Sequence, residues 1–290
     1  MKEIDLVERL DLLLDALYYD AVESENILLF SYSPAYPRRY IINADAIIKT
    51  LEIVSKIYLS SLHKSEILID FRLTNYDTKQ AFFMISFISD KHAIAIDEHL
   101  IKQALQSAKE HDARITIDKN VITIDTKAIF VKNQPINNIK FINQAIASYH
   151  ALIAYDCKDG FDILASHLNF MGIKVKPKND YDIIRRHIED AIYFPAVIFI
   201  HKDVLTRPGE FETLMRYKRV KKYSIVAICD GASDLPVYME DEVIILKTPF
   251  TYDTIVGILN VCYVRQNPKK YTTLKRPNPS LFWARTPSKD

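Results

Sequence analysis

Glycine is nearly missing from this chain: five occur in 290 residues, and none precedes Gly160. The first half has no residue that takes positive φ without cost, which excludes glycine-rich loops that cradle phosphates with backbone amides. Cysteine is almost as rare. Cys157, Cys229 and Cys262 are scattered and odd in number. That excludes a disulfide framework or a zinc site of paired thiols, and fits small buried residues kept reduced in a cytoplasm. Long apolar runs are absent, and stretches such as residues 81–88 are far too short to span a bilayer. The opening MKEIDLVERLDLLL lacks a basic region followed by an apolar core and small cleavage residues, so no secretion signal is expected. A net charge of +1 points to neither nucleic acid nor membrane as a partner. Gly-x-Ser-x-Gly, the phosphate-loop Gly-Lys-Thr, His-Glu-x-x-His and Cys-x-x-Cys are all missing.

What the chain has is apolar patterning, with 49% hydrophobic residues and a length that suggests two domains. Leu6, Leu10, Leu13 and Leu17 recur at helical spacing within residues 4–20. This stripe either serves a homodimer or packs back onto its own domain. A strand-like run at 26–32 leads to a loop holding Pro34 and Pro37. Asn43 is placed to cap a helix with Ile47, Leu51, Val54 and Tyr58 on one face. Ile67, Ile69, Phe71 and Leu73 alternate as in a half-buried strand, and 81–89 reads as its antiparallel neighbour across a turn at 75–78. Asp97 is placed to cap a helix through Ile101, Leu105 and Ala108. Strands 114–118 and 121–125 close on Lys119-Asn120, with 127–131 after them. The expectation for residues 1–145 is an α/β sandwich with a mostly antiparallel sheet. His99, His111 and His150 read as surface residues.

From Ala151 the rhythm changes. Strands at 151–155, 173–175, 196–200, 224–229 and 243–246 alternate with helices at 161–171, 181–191, 210–218, 235–239 and 252–263. Gly172 is placed to end the first of these helices. Alternation of continuous apolar strands with helices predicts a doubly wound, five-stranded parallel sheet of order 2-1-3-4-5 over residues 146–265. The remainder, 266–290, reads as a basic, proline-containing arm: residues 265–290 carry seven Lys or Arg, one acid and four prolines.

In such a sheet, ligands sit at the carboxyl ends of the strands. Those ends carry Tyr155 and Asp156, His201, Cys229 and Asp230, and Lys247-Thr248-Pro249-Phe250. The fragments LIAYDCKDGFDILASHLNFMGIKV, PAVIFIHKDVL, SIVAICDG and VIILKTPF resemble the response-regulator receiver family over about 150–264. The resemblance implies a magnesium-binding acidic pair, an acceptor aspartate after strand three, a Ser or Thr after strand four and a Lys before the Pro of strand five. Here the pair is Tyr155-Asp156, the acceptor position is His201, the hydroxyl position is Cys229, and the lysine position is Thr248 with Lys247 adjacent. The aromatic switch position is Ile245. One carboxylate is a poor magnesium cage, and no carboxylate stands where the nucleophile belongs, so aspartyl phosphorylation is not expected. Asp203 falls in the loop beyond.

The first half resembles the ATP-binding domain of sensor histidine kinases over roughly 10–132. The fragments are ENILLFSYSPAYPRRYIINADAIIKTLEIVSKIYL, SEILIDFRLTNYDTKQAFFMISFISD and IDEHLIKQALQSAKEHDARITID. The family's magnesium-holding asparagine falls at Ile57 or Tyr58. Its Asp-x-Gly-x-Gly falls at Asp90-Lys91-His92-Ala93-Ile94, with Asp90 kept and both glycines gone. Together the resemblances imply a hybrid-kinase-like signalling protein that uses no nucleotide, metal or other cofactor and acts by binding protein partners. The expected partner face comprises Ile245, Thr251, Tyr252 and Ile255. Two other readings stay open. One is an active hybrid histidine kinase fragment or phospho-accepting response regulator. The other is a nucleic-acid-binding regulator using the basic tail.

Overall fold

The computed structural model describes residues 2–77, 79–91, 94–131, 140–176, 180–230 and 235–268. The first unit runs β1 (Lys2–Asp5), α1 (Leu6–Glu23), β2 (Ile27–Tyr32), β3 (Arg39–Ile42), α2 (Ala44–Ser61), β4 (Glu66–Tyr76), β5 (Gln80–Ser89), α3 (Glu98–Lys109), β6 (Arg114–Asp118) and β7 (Val121–Phe130). Its sheet has the order β1-β3-β7-β5-β4-β2, with β6 also paired to β7. Every pairing is antiparallel except β2 with β4.

Alternation decides which side chains enter the core. Ile67, Ile69 and Phe71 of β4 and Phe83, Ile85 and Phe87 of β5 point to one face, where the apolar stripes of α1 and α2 cover them. Leu6, Leu10, Leu13 and Leu17 are all buried there. The leucine stripe thus packs back onto its own domain, the second of the two readings it allowed. In β2 the alternation splits between two cores: Leu28 and Phe30 join the first, while Leu29 turns to the second unit.

Several local expectations are corrected. Strands β1 and β3 are additional, and the two expected strands at 121–131 form one strand, β7. Asn43 precedes α2, but its side-chain amide donates to Glu110 O instead of capping. Asp97 does cap α3, accepting from His99 and Leu100 N–H. That helix buries Ala104, Ser107 and Ala108, and leaves Leu105 exposed. The small stripe lets α3 approach α2 closely enough for Thr50, Ser107, His111 and Thr126 to form a buried hydrogen-bonded chain. His111 is therefore a core residue, and burial pushes its imidazole below the usual range. Thr78 of the expected turn lies outside the described residues.

A 3₁₀ turn (Gln144–Ser148) leads into the second unit. Its elements are β8 (His150–Ala154), α4 (Lys158–Phe170), β9 (Lys174–Val175), α5 (Tyr181–Glu189), β10 (Val197–His201), α6 (Lys202–Leu205), α7 (Glu210–Lys221), β11 (Ser224–Cys229), α8 (Val237–Glu240), β12 (Val243–Lys247) and α9 (Tyr252–Gln266). The sheet order is β9-β8-β10-β11-β12, all parallel, which is 2-1-3-4-5 in chain order. Residues Val197–Ile200 and Val226–Ile228 are fully buried because α4 and α9 cover one face and α5 and α7 the other. Gly172 follows α4 at φ +86°, a conformation a side chain would strain. No helix among the described residues is long and apolar enough to cross a membrane.

The two units pack together, with α1 and β2 against α4 and α9. Leu29 enters the second unit's core, flanked by half-buried Ile27 and Leu68. Arg38 ties the junction: Nε lies 2.9 Å from Asp5 Oδ2, and Nη2 lies 2.7 Å from Asp253 Oδ2.

Candidate functional site

The carboxyl ends of β8, β10, β11 and β12 meet at one edge of the parallel sheet. His201 is the last residue of β10, the middle strand. Its Nε2 lies 2.8 Å from Asp230 Oδ2, just beyond β11. Lys202 Nζ approaches the other oxygen, Oδ1, at 3.6 Å. The Asp203 backbone N–H donates to His201 Nδ1 at 3.4 Å, so Nε2 carries the proton that Asp230 receives. Asp230 and Lys202 are 8% and 11% exposed at their side chains. Burial pushes the Asp230 carboxyl up, but the His201 hydrogen bond and the Lys202 charge outweigh it and hold the group below the usual range.

Tyr155 covers this cluster. Its buried ring stacks on the His201 imidazole, with centroids 5.6 Å apart and planes 16° from parallel. Gly160 in the first turn of α4 makes room for the ring: a Cβ there would lie 2.2 Å from Tyr155 Cε1. Burial is the main reason the phenol is pushed far up, so it stays neutral. Asp156 is exposed. Cys157 caps α4 by accepting from Gly160 N–H at 3.4 Å, and its Sγ lies 3.4 Å from Glu66 Oε2 of β4. Burial pushes the Cys157 thiol up to about 12.

Of the six expected pocket residues, Tyr155 and His201 are in contact. Cys229 is buried, with Sγ 3.9 Å from Ala227 O. Thr248 is buried, its N–H donates to Cys229 O, and a cis peptide joins it to Pro249. Lys247 departs from expectation: its Nζ lies 4.8 Å over the Tyr18 ring of α1, drawn to the first unit by a cation–π contact. Asp230 and Lys202 take the places beside His201 instead. Asp230 is the first charged residue after the apolar run of β11, and Lys202 directly follows His201 at the end of β10, which was the sequence signal for them. Among the described residues, no group of three or more His, Cys, Asp and Glu side chains is arranged to hold a metal ion.

The expected partner face is also corrected. Ile255 is fully buried, and Ile245 packs half-buried against the layer of α5 and α7. Thr251 and Tyr252 are buried under the first unit, lining a small cavity with Val7, Phe30, Tyr32 and Arg38. The Thr251 hydroxyl hydrogen-bonds Asp11 of α1. This face is occupied in cis.

In the first unit, Ile57 is fully buried. The Tyr58 hydroxyl sits 2.6 Å from Phe87 O and 2.8 Å from Asn120 O, and accepts from Ile122 N–H at 3.0 Å. Asp90 closes a strand end: Oδ1 accepts from Glu66 N–H at 3.1 Å, and its own N–H donates to Glu66 O. His92 and Ala93 of the expected adenine segment, and residues 269–290 of the tail, lie outside the described residues.

No family model matches the chain. No curated protein matches it. Among solved structures, full-length ShkA in complex with AMPPNP superposes with a TM-score of 0.59 at 11% identity, over 90% of this chain and 57% of that one. The chain therefore shares one two-unit α/β fold with ShkA and spans little more than half its length. The catalytic domain of histidine kinase ThkA matches at TM-score 0.33 and 12% identity, over 44% of this chain and 94% of that one. Full-length FixJ from B. japonicum matches at TM-score 0.35 and 19% identity, over 43% and 62%. The neighbours thus include histidine kinase catalytic domains, and the likeness that spans both units is one of fold.

Proposed function

We propose that this chain is a non-catalytic regulatory protein of the two-component type, which acts by binding other proteins and neither binds ATP nor takes a phosphoryl group on aspartate. The observation that carries this reading is the occupant of the sheet's carboxyl edge. An imidazole stands at the end of the middle strand, where an acceptor carboxylate would have to be. Its Nε2 is committed to Asp230, and the Tyr155 ring fills the space above it. Asp230 is ionised, but Lys202 neutralises it and His201 Nε2–H occupies one of its oxygens, so it is poorly disposed to attack phosphorus.

The first unit supports the same reading. Ile57 and Tyr58 belong to the core, and Asp90 is engaged by the backbone of β4. A binding protein of this kind retains its fold because its surface is read. Partner proteins, rather than membrane or nucleic acid, fit its balanced charge.

The test is calorimetric. Magnesium-ATP titrated into the chain should give no saturable heat, and magnesium with phosphoramidate should leave the protein unmodified. Stoichiometric nucleotide binding, or an acid-stable acyl phosphate, would overturn the proposal.

A further inference from the structure

With the α9 face closed by the first unit, an open concavity lies on the other side of the second unit, between α7 and α8. This groove has a volume of about 360 Å³ and is lined by Phe211, Glu212, Met215, Arg216 and Arg219 of α7 and by Tyr238 of α8. The spacing is that of one helix face: Phe211, Met215 and Arg219 follow each other at i, i+4 and i+8, with Glu212 and Arg216 beside them. Phe211 is nearly buried and forms the floor, and Tyr238 stands over it edge-to-face with centroids 5.8 Å apart. Tyr238 is nevertheless 63% exposed and its neighbour Val237 is 80% exposed, a large apolar surface for a four-residue helix.

The charge of the rim is one-sided. Two guanidiniums face a single acid, Glu212. Among the described residues neither Arg216 nor Arg219 has a carboxylate within ion-pair distance; of the acids at the end of α8, Glu242 is held by Lys218 at 2.7 Å and feels the charge of Arg219 at longer range. Aromatic, Met and Arg side chains are the types that protein interfaces concentrate, because they bury large area and keep a polar handle.

The geometry points to this groove as a docking site for a short acidic peptide segment of a partner protein, one that places a large apolar side chain between Tyr238 and Met215 and flanking carboxylates on Arg216 and Arg219. The site is separate from the His201 edge. It rests on the binding-protein reading only in supplying the partner, so a phosphoryl adduct at the edge would sink that reading and leave this one standing.

The probe is a fluorescein-labelled hexapeptide of two glutamates, leucine, phenylalanine and two glutamates, followed by anisotropy against the full chain. Saturable binding is expected, weakened at least tenfold by the exposed double variant Arg216→Glu/Arg219→Glu and by Tyr238→Ala. The double variant should in turn bind the matching lysine-flanked peptide better than the parent does. Circular dichroism of each variant separates lost binding from lost fold, since all three side chains are at the surface. Absence of binding, equal binding of the glutamate- and lysine-flanked peptides to the parent, or indifference to the charge reversal overturns the proposal. So does competition by duplex DNA alone, or a groove filled by a second copy of this chain at assay concentrations.

Discussion

Replacing Asp11 by asparagine should stabilise the protein at neutral and alkaline pH and flatten its pH dependence. Asp11 lies on α1 at the junction of the two units, with the Thr251 hydroxyl as its hydrogen-bond partner. Burial is the largest influence and pushes the carboxyl up from 3.8 to about 7; the Thr251 bond opposes this, Asp253 and Asp15 add to it, and Arg38 reduces it. The unfolded chain releases this proton near pH 4, while the folded chain holds it until near pH 7. Between those limits the native state binds the extra proton, so stability falls as pH rises and is then flat above pH 7. A displacement of this size is worth at most ~4 kcal/mol, at about 1.4 kcal/mol per unit, and solvent reaching the junction reduces it to about 1–3 kcal/mol. Asparagine keeps the shape and a donor for Thr251 but has no charge to desolvate. Urea unfolding at several pH values from 4 to 8 should show the gap between variant and parent narrowing as pH falls toward 4, with the variant more stable at pH 8. Parallel profiles, or a variant less stable than the parent at pH 8, would refute this account of the junction.

Three further outcomes follow from the same contacts. Arg38→Ala removes both bridges to Asp5 and Asp253 and should cost about 1–3 kcal/mol, with limited proteolysis between the units accelerated; an unchanged digestion pattern would contradict the clamp. Gly160→Ala drives a Cβ into Tyr155 and should destabilise by about 2 kcal/mol or more, relieved by adding Tyr155→Ala, which a double-mutant cycle measures. The Cys157 and Cys262 thiols, both pushed up to about 12 by burial, should resist a thiol reagent at pH 8 until the protein is unfolded, in a time course followed spectrophotometrically.

The parallel sheet was legible because each of its main strands is a continuous apolar run bounded by polar residues, a pattern that only two-sided burial explains. The helices of the first unit were legible for the opposite reason, a one-sided stripe. The strands that escaped notice, β1 and β3, have four residues each, and strands this short carry too few positions for alternation to register. Helix α3 was misjudged because its buried side is made of Ala104, Ser107 and Ala108, whose value lies in smallness rather than hydrophobicity. His111 went with it, since its burial depends on hydroxyls contributed by α2 and β7. At the sheet edge, the sequence brought Tyr155, His201 and Asp230 to the strand ends, but not the pairing of His201 and Lys202 with Asp230. Asp230 belongs to the cluster because two strands end at the same height. Lys247 leaves it because an aromatic ring on the other unit lies within reach.

The most direct measurement is the intact mass of the chain after incubation with magnesium and phosphoramidate, with peptide mapping of any product. An unchanged mass is expected, because Tyr155 and the His201–Asp230 pair occupy the space that metal and phosphoryl group would need. A single phosphoryl-sized increment, mapped to Asp156, His201, Asp203 or Asp230, would contradict it.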